Sequence, residues 1–390
     1  MQLTFDDDVE AFRAEFVAFL DAHLPDEAAA LQRPRSSSDV PPWAATWQRT
    51  LFDHGWLVPG NPPEFGGRNA SIIEQFVYFE ELSRRRIVHS FNIQGVGIIA
   101  ASLLAFGSAD QKARWAVPIL RAERTASLGM SEPGAGSDLA GLRTRAVRDG
   151  DHFVVNGQKV WTSGAHDADL LFTFVRTDPD APKHAGISVL MIPTDLPGVV
   201  CRPFPSVADR EDVDFNEVFF TDVRVPADHL VGPLNDGWRV ATGSLGHERT
   251  MLWLSYADRL RDLLEDFAPT TVVDRDHYAT LAMDNQALRL LGSAGLARAA
   301  RGEDDVAGTA VLKLLGAEAA QSASDHALAA SGCDGLIHPT RSTPYVHMNH
   351  DGYAGGWFDR YVRSFAGTIA GGTSEIQRNI IAQRVLGLPR

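Results

Sequence analysis

The hydrophobic period of this 390-residue chain changes twice, and the two changes limit the folds that it can adopt. Up to about Arg121, apolar residues such as Phe12 and Phe16 recur at helical spacing. From there to about Val231, short β-branched or aromatic runs alternate with turn residues. After Gly237 the helical period returns and persists. Helices, then strands, then helices predict an α+β fold, because strands and helices do not alternate along the chain.

Local signals place several elements within this pattern. Ser71 with Glu74 three residues later predicts a capping box at the start of a helix. The Asn156-Gly157 pair favours a tight β-hairpin. The expected strands are residues 153–155, 170–175, 187–192 and 218–220. We predict an N-terminal helical domain in residues 1–121, a β-domain in 122–231 and a C-terminal helical domain in 232–390.

Composition excludes several classes of protein. The net charge of −14 and the lack of a basic run argue against binding to nucleic acid. The longest apolar stretch, residues 95–106, is too short to span a membrane and is expected to form a buried helix. Cys201 and Cys333 are too few for a disulfide framework. With an acidic N-terminus in place of a basic signal sequence, these features favour a protein of the reducing cytoplasm.

Three short stretches, far apart in sequence, combine small residues with hydroxyl groups. They are Ser-Glu-Pro-Gly-Ala-Gly-Ser-Asp at 131–138, Asn-Gly-Gln-Lys-Val-Trp-Thr-Ser-Gly-Ala at 156–165 and Gly-Gly-Thr-Ser-Glu-Ile-Gln-Arg at 371–378. Each stretch alone is compatible with an ordinary loop. In this order and at these separations they resemble the acyl-CoA dehydrogenase family, and the resemblance extends over nearly the whole chain. Residues 369–381 look like the ending of a bacterial subgroup that includes subunits acting on steroid side chains.

The resemblance implies an N-terminal helical domain, a middle antiparallel β-domain and a C-terminal four-helix bundle, with FAD as the cofactor. Gly134, Gly136 and Gly164 are expected where the backbone approaches a ligand, with turns of positive φ as the alternative. No Gly-x-Gly-x-x-Gly follows a strand, so a Rossmann fold is not expected. The expected cofactor-binding residues are Met130, Ser131, Trp161, Thr162, Ser163, Thr373 and Glu375, and the expected substrate-binding residues are Ser137 and Arg249.

The catalytic base departs from the commoner pattern of the resembled family. Many members carry the carboxylate immediately before Gly-Thr, but this chain has Gly371 there. A second family arrangement matches Glu248, which shares an apolar helical stripe with Ala241 and Leu245. Glu248 is therefore the predicted base, and the Gly371 N–H is the predicted donor to the thioester carbonyl. The alternative is that Glu248 pairs with an arginine and only stabilises the bundle.

The resemblance implies α,β-desaturation of an acyl-CoA or acyl-carrier thioester, with hydride transfer to flavin N5 and electrons passing to an electron-transfer flavoprotein. An arginine usual in the family is missing from residues 263–269, and Ala329 replaces a usual glutamine. Both groups would serve a neighbouring subunit's flavin, so a homotetramer and a heterotetramer with a related subunit both remain open. An oxidase, a monooxygenase and a non-catalytic subunit are also compatible with the resemblance. A metal cluster of His338, His347, His350 and Asp351 is disfavoured by its irregular spacing, and no metal is expected.

Overall fold

In a computed structural model the chain forms two compact units, and each draws on separate parts of the sequence. The first comprises Met1–Arg33, Asn69–Val88 and Arg249–Arg390, and the second comprises Pro34–Arg68 and His89–Glu248. The structure describes residues 5–25, 36–85, 87–207, 210, 213–303, 305–336 and 357–389, without the side chains of residues 244–252.

The second unit is built around an eight-stranded, mainly antiparallel sheet. The strand order is β6-β7-β3-β2-β4-β5-β8, and β1 pairs with β4 off this path. Two contacts, β1 with β4 and β2 with β4, are parallel. The four predicted strand runs lie within β3, β4, β5 and β7, which confirms those assignments. The strands are β1 Ala126–Gly129, β2 Arg145–Asp149, β3 His152–Lys159, β4 Leu170–Arg176, β5 Ile187–Pro193, β6 Val199–Pro203, β7 Asn216–Pro226 and β8 Leu230–Val231.

The centre of this sheet is buried on both faces. Six consecutive residues of β4 and six of β5 are buried and all but Thr173 and Ser188 are apolar, as expected for strands covered on both sides. Phe153 and Val155 of β3 pack with Val223 and Val225 of β7 in the main cluster of this core. Full burial of such side chains contributes roughly 1.5–3 kcal/mol each, so the cluster holds β3 firmly in the sheet.

The predicted hairpin at Asn156-Gly157 is wrong. The turn between β2 and β3 is made by Gly150 at φ 61°, whereas Asn156 and Gly157 lie within β3, where the pairing with β7 shifts register. The Asn156 amide donates to Asp222 Oδ1 at 3.0 Å, and a Cβ on Gly157 would lie 2.6 Å from Thr144 Cα. Asn156 and Gly157 therefore form a β-bulge, which, like a tight hairpin turn, favours glycine.

Most helices of the second unit lie before the sheet in sequence. The predicted buried helix is confirmed, because a π-helix at Gln94–Ala100 continues into an α-helix at Ala101–Phe106. Within the described ranges, no helix is both long and apolar enough to cross a membrane. The other helices and turns of this part are Pro42–Asp53, Pro63–Phe65, Ala109–Gln111, Lys112–Ala116 and Val117–Leu120, and short 3-10 turns occur later at Leu139–Gly141 and Ala227–His229.

The first unit is helical. Its helix Ile72–Arg84 begins with the predicted capping box, in which Ser71 and Glu74 each accept from the other's backbone N–H. Among the described residues, four long helices, which we call the first to fourth bundle helices, confirm the expected bundle; they are Gly237–Asp266, Val272–Ala300, Val306–Ser331 and Trp357–Ile369. The first of them runs from the second unit into this one at Arg249. The other helices of this unit within the described ranges are Asp7–His23, Gly332–Leu336, Ser374–Ile380 and Ile381–Val385.

Glycines allow the bundle helices to approach closely. A Cβ on Gly292 of the second bundle helix would lie 2.1 Å from the ring of Trp253 in the first. A Cβ on Gly316 of the third would lie 2.6 Å from Tyr256. Two large rings of the first bundle helix therefore lie against bare backbone of its neighbours.

Candidate functional site

Two of the three sequence stretches meet at the end of strand β3. The Val160 N–H donates to the Ser131 carbonyl at 3.0 Å. The Lys159 ammonium donates to the Met130 carbonyl at 3.0 Å and to Glu132 Oε1 at 2.9 Å. The structure therefore brings together the predicted residues at 130–131 and those that follow position 160.

Glu132 and Lys159 form a buried ion pair directly behind these residues. The carboxylate also accepts from the backbone N–H groups of Arg143 at 2.7 Å and Thr144 at 2.8 Å. Burial alone would raise the pKa of Glu132, but the Lys159 charge and these hydrogen bonds outweigh it and lower the pKa. Burial lowers the pKa of Lys159 to about 8, against the opposing effect of Glu132. Both residues stand in the sequence stretches, but nothing in the sequence alone shows that they pair.

Trp161 presents an aromatic surface from a strained backbone. Its φ is 62°, in the left-handed region that costs an L-residue about 1–2 kcal/mol. The side chain is 59% exposed although it packs edge-on against Phe204, with centroids 5.2 Å apart, and Phe215, at 5.5 Å. Such strain is typical of ligand-contacting positions, and the exposed ring can cover a flat ligand. No spacing rule in the sequence indicated the two phenylalanines.

Thr162 is held rigidly and has an unsatisfied hydroxyl group. Its N–H donates to the Asn216 carbonyl at 3.2 Å, and its carbonyl accepts from the Asn216 amide at 3.1 Å. Its side chain is fully buried, and Oγ1 has no hydrogen-bond partner in the described part of the chain. A buried group without a partner costs about 1–3 kcal/mol, which a bound ligand can recover.

Ser163 and Gly164 are fixed by the segment around Ser38. Ser127 Oγ donates to the Ser163 carbonyl at 2.7 Å, and Ser127 Oγ also lies 3.1 Å from Ser38 Oγ. Gly164 has φ 68°, and a Cβ there would lie 2.5 Å from Ser38 Oγ and 2.7 Å from the Ser38 nitrogen. Gly164 is therefore required by its own backbone and by its neighbour, without reference to a ligand.

Gly134 and Gly136 differ from Gly164. Neither has φ in the left-handed region, and no described atom would lie within 4 Å of a Cβ at either position. The turn explanation applies to Gly164 alone, and the space beside the other two is compatible with a ligand. Ser137, the predicted substrate contact, is exposed at the edge of this space, next to the ion pair of Asp138 with Lys183.

The third stretch lies in the first unit, where it begins a short helix. Gly371 and Gly372 have φ of 68° and 98°, and both carbonyls accept from the Gln377 amide at 3.3 Å. Thr373 Oγ1 accepts from the Ile376 N–H at 3.2 Å and so caps the helix Ser374–Ile380. The Thr373 hydroxyl therefore has a structural role in addition to the predicted contact. Gly371 is exposed, and no described atom would touch a Cβ there.

Near this helix lie the predicted Glu375 and two polar residues that the sequence analysis did not identify, Lys313 and Ser374. Glu375 is exposed, and its own backbone N–H and the Thr373 hydroxyl lower the pKa of its carboxyl group. Lys313 of the third bundle helix is buried, and burial lowers its pKa against the charges of Glu318 and Glu375. Lys313 Nζ and Ser374 Oγ are buried without a hydrogen-bond partner among the residues that the structure describes.

Several predicted residues are not described. The first bundle helix extends through positions 248 and 249, but the side chains of Glu248 and Arg249 lie outside the described set. His338, His347, His350 and Asp351, the residues of the disfavoured metal cluster, also lie outside it. The predicted base and the disfavoured metal cluster therefore stay predictions.

Comparison with protein families gives three matches in chain order. The models match residues 6–123 for the acyl-CoA dehydrogenase N-terminal domain, 127–223 for the middle domain and 235–386 for the C-terminal domain. Acyl-CoA dehydrogenase IpdE1 of Mycobacterium tuberculosis is 37% identical over 397 residues, which cover 98% of each chain.

Solved structures agree with this comparison over the full length of the chain. A chain of the ChsE4-ChsE5 complex from Mycobacterium tuberculosis is 30% identical, with a TM-score of 0.78 and 100% coverage of both chains. A chain of the steroid ACAD Tcur3481-Tcur3483 is also 30% identical, with a TM-score of 0.77 and the same coverage.

Proposed function

Because the chain belongs to the acyl-CoA dehydrogenase family, we propose that it is an FAD-dependent enzyme that introduces a 2,3 double bond into an acyl thioester. The meeting of residues 130–131 with residues 160–163 carries this proposal, because the resemblance assigns both segments to one flavin ring. Dehydrogenase chemistry follows from the family, whereas the cofactor, the base and the substrate are parts of the proposal.

The residues at the end of β3 fit a flavin. Thr162 Oγ1 is a buried hydroxyl with no hydrogen-bond partner in the described ranges, Trp161 offers an exposed aromatic face, and the space beside Gly134 and Gly136 admits a ligand. Bound FAD would supply the hydride acceptor at its N5 atom. The residues proposed to hold it are Met130, Ser131, Trp161, Thr162, Ser163, Thr373 and Glu375.

The chain itself provides the proton acceptor and the carbonyl donor. We assign proton removal from the α-carbon to Glu248, because position 371 has no side chain that could do it. The Gly371 N–H donates to the thioester carbonyl oxygen and stabilises the charge that develops there. The exposed position of Gly371 and the open space around it support this role, because a substrate can approach its backbone. Ser137 and Arg249 contact the remainder of the thioester.

Anaerobic flavin reduction by thioesters tests the base. A general base typically contributes on the order of 10²–10⁴-fold, so Glu248→Gln should retain bound flavin but bleach it at least a hundredfold more slowly. Glu265→Gln is the matched control, because it removes a half-exposed carboxylate from the same helix, 3.7 Å from Arg261. Reduction of Glu248→Gln at the wild-type rate would remove Glu248 from the mechanism.

The thioester panel should include straight, branched and ring-bearing acyl groups. We propose a ring-bearing acyl group as the preferred class, because one of the matched structures is a steroid ACAD. Electrons are proposed to pass to an electron-transfer flavoprotein. Air exposure after reduction separates this enzyme from an oxidase, because only an oxidase should release peroxide rapidly.

The second candidate function is that of a subunit in a mixed assembly. Residues 263–269 carry no arginine, Ala329 replaces a usual glutamine, and both matched structures are named for two polypeptides. Exposed apolar side chains on the second bundle helix, including Met283 at 65% and Leu290 at 55%, are compatible with a partner. Co-expression with a related subunit tests this function, and full flavin loading of the lone chain as a homomer would defeat it.

A further inference from the structure

We infer that Glu132 and Lys159 are a positioning pair that fixes the spacing between the main chain at Met130–Ser131 and the residues 161–163. The inference rests on the proposed FAD site and assigns a function to an ion pair that the proposed chemistry does not use. Neither side chain is required to touch the flavin.

The argument begins with the place of Lys159 in the sheet. Lys159 is the last residue of β3, so only Val160 separates the end of the strand from Trp161, whose φ is 62°. Beyond that point the regular β-ladder ends, and the Thr162 N–H donates to the Asn216 carbonyl at the start of β7. The Lys159 ammonium, 0% exposed, adds hydrogen bonds to the Met130 carbonyl and to Glu132 Oε1. Next to them, the Val160 N–H donates to the Ser131 carbonyl. The end of β3 is thus tied to three successive residues of the other segment.

Glu132 extends these ties to a third piece of chain. Its carboxylate accepts from the N–H groups of Arg143 and Thr144, which immediately precede strand β2. The backbone of Glu132 also exchanges two hydrogen bonds with Ala135, at 2.9 and 3.1 Å, and so closes the turn that carries Gly134. One carboxylate therefore links the loop that begins at position 131, the start of β2 and the end of β3.

Stability alone is a poor explanation for this pair. Apolar residues of the same volume often stabilise a buried position as well as an ion pair does, whereas loss of one partner leaves a buried charge unpaired. If the pair has only a structural role, removal of both charges should restore both the stability and the FAD affinity that a single substitution lowers. A positioning role predicts that folding recovers but flavin binding does not, because the link to the Met130 carbonyl is still missing.

The experiment compares Lys159→Met, Glu132→Gln and the double variant Glu132→Gln/Lys159→Met. FAD affinity is measured by titration of the apoprotein, together with the visible spectrum and reduction potential of the bound flavin and the Tm of the apoprotein. The control is Asp149→Asn, which breaks an exposed 2.8 Å pair with Arg224 in the same sheet.

We expect the single variants to have a lower Tm and the double variant to regain most of it. The double variant should still bind FAD at least tenfold more weakly than the wild type and shift the flavin spectrum and potential, whereas the control should match the wild type. Wild-type affinity, spectrum and potential in the double variant would overturn the inference and leave the proposed function intact. A wild-type protein that binds no FAD would instead refute the proposed function.

Discussion

Replacement of Gly164 by alanine should destabilise the protein through two separable effects. The φ of 68° places an alanine in the left-handed region, at a cost of about 1–2 kcal/mol. The new Cβ would also lie 2.5 Å from Ser38 Oγ and 2.7 Å from the Ser38 nitrogen. Rotation of the hydroxyl relieves only the first contact, so the backbone must move, and overpacking of this kind costs about 1–3 kcal/mol. The expected total is about 2–5 kcal/mol in the free energy of unfolding.

Gly150→Ala is the matched control for this prediction. Gly150 has φ 61°, and no described atom would lie within 4 Å of its Cβ, so only the backbone cost of about 1–2 kcal/mol applies. Urea denaturation of both apoproteins measures the difference, which isolates the contact with Ser38. Equal destabilisation of the two variants would refute the steric argument. Gly164→Ala should also weaken FAD binding, because Ser163 must move with its neighbour.

Two further predictions concern the same site. The pKa of Lys159 is about 8 in the folded protein and 10.5 ordinarily. The unfolded chain therefore binds more protons between these values, and the contribution of Lys159 to stability rises with pH across that window. The ammonium that pairs with Glu132 is nevertheless lost above about pH 8, so the spectrum of bound flavin should titrate near pH 8 in the wild type and not in Lys159→Met. Thr162→Val removes a buried hydroxyl that has no partner within the described residues, so the apoprotein should be as stable as the wild type or more stable. If FAD forms a hydrogen bond with the Thr162 hydroxyl, it should bind about 0.5–1.5 kcal/mol more weakly to this variant. Unchanged FAD affinity in a titration would contradict that hydrogen bond.

Local signals in the sequence predicted the elements that depend on neighbouring residues. The capping box of Ser71 and Glu74 is one example, because its two hydrogen bonds span only three residues. The mainly apolar runs of β4 and β5 predicted these strands, because such a run is also a pattern of neighbouring residues. The Asn156-Gly157 prediction failed because glycine suits both a hairpin and a bulge, and the bulge depends on a distant contact, the hydrogen bond from the Asn156 side-chain amide to Asp222.

The parts of the site that the sequence did not reveal depend on long-range contacts. Glu132 and Lys159 are 27 positions apart, and only the folded sheet brings them together. The inclusion of Pro34–Arg68 in the second unit is another case, since Ser36 Oγ donates to Asp167 at 2.8 Å. Hydrophobic periodicity cannot predict a hydrogen bond between residues so far apart in sequence. The predicted domain boundaries near 121 and 231 stay predictions.

The glycines in the bundle link the evolution of positions that are distant in sequence. Trp253 occupies the volume that a side chain at position 292 would need, and Tyr256 does the same at position 316. A lineage that enlarges either glycine has to shrink the opposing ring in the same step or soon afterwards. Paired substitutions of this kind among relatives would therefore show which helix faces have stayed in direct contact.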